Sequence, residues 1–156
     1  QTDHLTQGIT QSCGCTKFIR WHNISFRSLF EVMVAIALDV KGIRWEYETL
    51  PIPVTIDGVA RQYLPDFLLP DNGVIVEVKG WHKRMNVGME KLRQAISKRY
   101  RIQMFLLRDV EQLAGCSYSR VRRAFSTGGL AAIENLIRSS CQKDETPLPV
   151  LSGYLV

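Results

Sequence analysis

The sequence predicts an α/β fold: a mixed sheet flanked by helices, with a helical C-terminal region. Three observations predict it. Helical periodicity and strand-type alternation follow one another in the order helix, strands, helix, strand, which is the succession of an α/β core. The 156 residues amount to one ordinary domain, large enough to bury a hydrophobic core without staples. A composition of 46% hydrophobic and 22% charged residues belongs to soluble globular proteins rather than disordered, fibrous or membrane ones.

Residues 1–24 lack periodicity and read as an N-terminal arm. From Phe26 to about Val40 the spacing is helical, with Ser25 or Ser28 able to cap the start, Lys41 suited to the negative end and Gly42 to the exit. This helix is nearly all apolar and therefore buried. Ile43 to Glu48 alternates with aromatic and β-branched character, and Val54 to Ile56 continues as an extended arm after Pro51 and Pro53, whose missing donors argue for an exposed edge. Gln62 to Leu69 and Val74 to Lys79 read as two strands joined at Pro70-Asp71-Asn72-Gly73, a compact turn signal. Asn86 to Tyr100 has helical spacing, and Ile102 to Leu107 suits a short buried strand. Beyond Asp109 the chain is helical, with a break at Gly128 and Gly129 and a final helix from Leu130 to about Ser139. The division that follows is an arm over 1–24, a core over 25–108 and a helical extension of the same domain over 109–156.

Several classes are set aside. The longest apolar run, Val32 to Leu38, falls well short of the ~20 residues needed to span a bilayer. The chain begins at Gln1, nothing near it has the pattern of a signal peptide, and an intracellular location is the simpler expectation. Cys13, Cys15, Cys116 and Cys141 are too few and too irregular for a disulfide framework, so reduced thiols are expected. Cys13 and Cys15, with His4 and His22, could ligate zinc, but the spacing departs from that of structural zinc sites.

The net charge of +5 suggests a polyanionic partner. Its distribution sharpens the point: Lys83, Arg84, Lys91, Arg93, Lys98, Arg99 and Arg101 crowd one segment against a single acid, Glu90, and Arg120, Arg122 and Arg123 follow. A phosphate backbone suits such a surface, and a solvated helix face is the bland alternative.

The chemistry lies in the hairpin around residues 70–73. If the turn is flanked symmetrically, Leu69 faces Val74 and Asp66 lies directly opposite Glu77. Strand side chains alternate, so Lys79 shares the face of the two acids while Phe67, Leu69, Val74, Val76 and Val78 point to the apolar side. Directly opposed carboxylates have Cβ atoms about 5 Å apart and repel, a pairing that a purely structural hairpin has no reason to keep. A divalent cation removes the conflict, and Mg²⁺ prefers oxygen ligands from one or two carboxylates completed by water and phosphate. Lys79 could orient the attacking water or stabilise charge on a scissile phosphate. The competing reading is a surface strand pair in which Lys79 simply neutralises both acids.

Leu64-Pro-Asp66-Phe followed by Val76-Glu77-Val-Lys79-Gly80 resembles the PD-(D/E)XK nuclease pattern. The likeness extends further: Phe26-Arg-Ser28 with Glu31, then Lys41-Gly-Ile-Arg-Trp-Glu46-Tyr-Glu48, then Pro65-Asp-Phe-Leu-Leu-Pro70 is similar to the phage endonuclease I family of Holliday-junction resolvases, over roughly Phe26 to Leu107. The resemblance implies a restriction-endonuclease-like nuclease core and a metal-dependent endodeoxyribonuclease acting on branched DNA. It implies a site of Glu31, Glu46, Asp66, Glu77 and Lys79, with Asp66, Glu77, the Val78 carbonyl and Glu31 as metal ligands. Mg²⁺ is the expected ion, with Mn²⁺ able to substitute, and similar enzymes leave a 5′-phosphate and a 3′-hydroxyl.

Glu48 shares the strand face of Glu46, so either could approach the site. Ser28-x-x-Glu31 also fits a capping box in which the carboxylate serves the helix start, and Arg27, one turn earlier, could supply Glu31 with a cation. Lys83, Arg84, Lys91, Arg93 and Lys98 are the expected DNA contacts; Lys91, like Gln94, is equally well explained as a polar-face residue. The family further implies a homodimer that exchanges its first helices through an extended arm, here Pro51 to Val59, and a phage origin would place the protein in the cytoplasm of a bacterial host. The likeness stops after Leu107. A nuclease subunit of a transposase or of a restriction or repair system, and a non-catalytic nucleic-acid-binding module, are the alternative readings.

Overall fold

A computed structural model describes residues 18–80, 94 and 101–141. Its centre is a four-stranded mixed sheet in the order β3-β6-β7-β8. These strands are β3 (Glu46–Tyr47), β6 (Phe67–Leu69), β7 (Val74–Gly80) and β8 (Arg101–Leu106). The β6–β7 pairing is antiparallel with Leu69 opposite Val74 and Phe67 opposite Val76, the register expected from symmetric flanking of the turn. Asn72 N–H donates to the Leu69 carbonyl (3.2 Å) to close that turn. Strand β8 returns parallel to β7.

One face of the sheet carries Phe67, Leu69, Val74, Val76, Val78 and Phe105, all buried. Helix α1 (Leu29–Val40) packs here together with α2 (Leu107–Ala114) and α3 (Tyr118–Cys141). Residues Phe30 to Leu38 of α1 are all buried, as an apolar helix without a polar face must be. The helix starts later than its periodicity suggests. Phe26 belongs to β2 (Ile24–Phe26), which pairs with β1 (Ile19–Trp21), and Ser28 is the N-cap, its Oγ accepting from Glu31 N–H at 3.2 Å. The exit is as expected: Lys41 is the C-cap and Gly42 has φ +70°, the left-handed conformation that commonly ends helices.

Residues 19–26 therefore form a small hairpin turning on His22 and Asn23, both with positive φ. Trp21 is buried, and its indole N–H donates to Glu134 Oε1 of α3. This end of the expected arm is part of the core.

The opposite face of the sheet is covered by a second hairpin, and here the sequence reading is corrected. Residues 51–59 are not an extended arm. Strand β4 (Ile52–Ile56) pairs antiparallel with β5 (Val59–Tyr63) around Asp57 (φ 52°) and Gly58 (φ 76°). Two successive positive φ values suit the right-handed twist of a tight hairpin, and Asp-Gly supplies them at low cost. Ile52 and Val54 pack on Ile75 and Ile102 of the sheet, while Pro53 is exposed, the edge position that its missing N–H predicts.

The C-terminal region is helical with its break where the glycines predicted: Gly129 has φ 66° and ψ −152° inside α3, a region essentially reserved for glycine. Cys116 and Cys141 are buried free thiols, while Cys13 and Cys15 lie outside the described residues. The helix expected over 86–100, with Lys83, Arg84, Lys91, Arg93 and Lys98, also lies outside them. Among the described residues no helix is long and apolar enough to cross a membrane.

Candidate active site

Two strands and one helix start converge on a small charged cluster. On β7 the alternation puts Glu77 on the face opposite Val76 and Val78, and Glu77 is nevertheless buried, only 3% exposed. Asp66, immediately before β6, sits next to it. Asp66 N–H donates to Glu77 Oε1 at 3.4 Å, and Val78 N–H donates to Asp66 Oδ2 at 2.8 Å. Each acid is thus fixed partly by the backbone of the neighbouring segment. Lys79 Nζ lies 3.0 Å from Glu77 Oε2. In the pairing with β8, Val78 faces Phe105 and Gly80 faces Leu106, so Lys79 occupies a β-bulge, an irregularity that re-aims a side chain.

Tyr63, at the end of β5, donates its hydroxyl to Glu77 Oε1. Glu77 is therefore held at both oxygens, by a phenol on one side and an ammonium on the other. Burial and the neighbouring carboxylate push the Tyr63 hydroxyl well above its ordinary pKa, so it stays a proton donor.

The electrostatics of Asp66 are unfavourable. Its pKa is raised to about 7, first by burial, then by the charge of Glu77 and further by Glu31, with Val78 N–H and Lys79 pulling the other way. Lys79 alone does not neutralise the site. That excess of negative charge is what a cation would relieve.

Glu31 is buried at the start of α1. Its Oε2 accepts from Arg27 N–H (3.0 Å) and from the Tyr47 hydroxyl (2.7 Å). Only half of the expected capping box is formed: Ser28 Oγ accepts from Glu31 N–H, whereas the carboxylate bonds Arg27 N–H, one residue ahead of the cap, and its charge reaches Asp66. The guanidinium of Arg27 is not its partner but pairs with Glu48.

Glu46 is not brought to the cluster. It is exposed, its Oε2 accepts from Thr49 Oγ1 at 2.8 Å, and it lines a separate concavity of about 630 Å³ with Asp39, Arg44 and Trp45. Register explains the separation. Glu46 faces Leu68 and Tyr47 faces Phe67, so continuing the ladder brings Glu48 to Asp66, and Glu48 N–H indeed donates to the Asp66 carbonyl at 3.1 Å.

Among the described residues, no group of three or more His, Cys, Asp or Glu side chains forms a ready metal cage. A pair of carboxylates fits Mg²⁺ better than a cage does, because that ion keeps several waters and takes one or two protein carboxylates. The donor set present is chemically compatible with such an ion, with Glu77 already carrying Tyr63 and Lys79 on its two oxygens and Glu31 carrying two hydrogen bonds on Oε2.

Sequence reasoning missed both tyrosines. Tyr47 and Tyr63 reach their carboxylates across 16 and 14 residues of chain, and no local pattern announces such contacts. The one available hint for Tyr63 was Asp57-Gly58, which folds β5 back over the sheet.

The profile of the family described as Phage endonuclease I matches residues 15–95, a span holding Glu31, Glu46, Asp66, Glu77 and Lys79. Over 56 residues the chain is 48% identical to Endonuclease I of Escherichia phage T7, an alignment covering 36% of this chain and 37% of that protein. Endodeoxyribonuclease 1 of Enterobacteria phage T3 is 46% identical over 56 residues, 36% of each chain. The match thus spans little more than a third of the length of these curated relatives. No solved structure matches the chain. More than half of the sequence, including the hairpin that carries the paired acids, fits one family profile, and the chain belongs to the phage endonuclease I family.

Proposed function

We propose that the protein is a metal-dependent DNA endonuclease with a PD-(D/E)XK core, acting on branched DNA as a Holliday-junction resolvase does. The observation that carries this reading is the Asp66–Glu77 pair with Lys79 Nζ on Glu77, supported by membership of a family whose named relatives are DNA endonucleases.

Asp66 and Glu77, with the Val78 carbonyl, would hold a Mg²⁺ or Mn²⁺ ion. Such an ion supplies Lewis-acid polarisation of a phosphodiester and lowers the pKa of water. Lys79, aimed by its bulge, holds a proton-bearing ammonium beside the scissile phosphate, where it orients the attacking water or stabilises developing charge. Tyr63 keeps Glu77 in one orientation. Glu31 adds negative charge behind Asp66 and is the available carboxylate for a second ion. Glu46, on the edge strand and bonded to Thr49, is the outermost carboxylate of the proposed set.

Lys83, Arg84, Lys91, Arg93 and Lys98 supply the basic surface for DNA. Two symmetric nicks in a four-way junction call for a homodimer. Exchange of α1 between subunits would require the Asp57–Gly58 turn to open, since in a single chain α1 packs on its own sheet.

Supercoiled plasmid incubated with Mg²⁺ or with EDTA tests the reading. Nicking that needs the metal supports it. Nicking in EDTA contradicts the metal dependence, and DNA binding without nicking in either condition favours a binding module or a missing partner chain.

A further inference from the structure

Helix α3 is two helices of different character joined at Gly129. The second half buries Ile133, Ile137 and Cys141 in the core, whereas the first half buries only Val121. That first half, residues 118–128, carries Arg120, Arg122 and Arg123, all exposed, and no acid occurs between Glu111 and Glu134. Both flanking acids are committed elsewhere: Glu111 Oε2 accepts from Tyr118 N–H at 2.7 Å, and Glu134 accepts from Trp21. No carboxylate among the described residues forms an ion pair with any of the three arginines.

Their placement is regular. At about 100° per residue, Arg120, Arg122 and Arg123 fall on the side of the helix opposite Val121, with exposed Ser119 and Ser126 between them. The face lies on the helix side of the sheet, beside the start of α1. Tyr118 stacks on Phe30 with ring centroids 4.1 Å apart. Arg122 shares a concavity of about 320 Å³ with Leu29 at the start of α1. Three guanidiniums with no carboxylate partner among the described residues, Arg122 lying 6.0 Å from the Tyr118 ring centroid, and with hydroxyls among them, match a phosphate backbone in charge.

We infer that the first half of α3 is a second DNA-binding face, on which Arg120, Arg122 and Arg123 grip the backbone of a DNA arm on the helix side of the sheet. The inference rests on DNA being the substrate, as proposed above. It assigns a role to a helix that lies outside the family match, and the Gly129 break separates this half from the half that buries Ile133, Ile137 and Cys141.

The test is binding of a fluorescently labelled four-way junction by the full chain in EDTA, across about 50–200 mM salt. It compares the wild type with two triple variants, Arg120→Gln/Arg122→Gln/Arg123→Gln and Arg120→Lys/Arg122→Lys/Arg123→Lys. The glutamine variant should keep the wild-type Tm and bind about tenfold more weakly or worse, with the slope of log K against log salt reduced by about 2–3. The lysine variant should recover most of the slope. Wild-type affinity and slope in the glutamine variant would overturn the inference, as would a lysine variant that recovers nothing. Cleavage in Mg²⁺ is read separately: a wild type that binds with this salt dependence but never cuts removes the nuclease reading and leaves the α3 face standing.

Discussion

The hydroxyl of Tyr63 donates to one oxygen of Glu77, and because Tyr63 ends the hairpin that covers Ile75, the packing of β5 and the orientation of a candidate-site acid are one structural fact. Groups that orient a metal ligand from behind typically contribute 10–100-fold to metal affinity or activity. Tyr63→Phe keeps the ring and its packing and removes only the hydroxyl. Its expected effect is a loss of about tenfold in cleavage, chiefly as a higher Mg²⁺ requirement, with little change in Tm. A Mg²⁺ titration of the cleavage rate checks it, and an unchanged titration curve would mean that Glu77 is held sufficiently by Lys79 and Asp66 N–H.

Asp66 gives the metal-free protein a pH dependence of definite sign. Its folded pKa of about 7 lies above the ordinary value of 3.8, so the folded state binds the proton more tightly than the unfolded chain does. The contribution to stability is fully present below about pH 4 and is lost as pH rises to about 7. Asp66→Asn retains an acceptor for Val78 N–H but cannot ionise. Thermal melts in EDTA should therefore show a variant more stable than wild type at pH 8 and the difference shrinking towards pH 4. Added Mg²⁺ should raise the wild-type Tm at pH 8 and leave the variant nearly unmoved.

The proposed function gives Lys79 a part in the chemistry and none in holding the metal. Lys79→Ala removes the ammonium 3.0 Å from Glu77 Oε2 but no carboxylate, so Mn²⁺ binding measured by calorimetry should persist while cleavage is abolished. Loss of the metal together with the activity would assign Lys79 to holding the site in shape.

Gly129 tests the architecture of α3. Its φ and ψ exclude an ordinary side chain at a cost of about 1–3 kcal/mol, so Gly129→Ala should lower the Tm by several degrees. Gly128→Ala should also destabilise, since a Cβ there would meet the Ala132 Cβ at 2.7 Å. A pair of unchanged melts would contradict the break.

What could be read in the sequence was whatever local physics determines. The turn at residues 70–73 and the alternation on either side fixed the register of β6 and β7, and with it the meeting of Asp66 and Glu77. Ser28 marked the helix start through capping chemistry, and two glycines marked the break in α3. The failures have equally physical causes. Prolines 51 and 53 outweighed the Asp57-Gly58 turn, so a hairpin was read as an arm. Arg27 was assigned to Glu31 by helical spacing, but the helix begins after it and its guanidinium pairs with Glu48. Glu46 was placed at the site by resemblance, while the positive φ of Glu48 ends the strand and puts Glu48 opposite Asp66. Tyr47 and Tyr63 depend on tertiary contacts that no window of sequence contains.

The most direct test of the central claim compares a synthetic four-way junction with a linear duplex of the same arms, in Mg²⁺ and in EDTA, using wild type and Glu77→Gln. The account predicts paired, symmetric nicks in the junction, dependent on Mg²⁺ and absent in the variant, with the duplex left intact. A Glu77→Gln protein that cuts the junction as wild type does would contradict it.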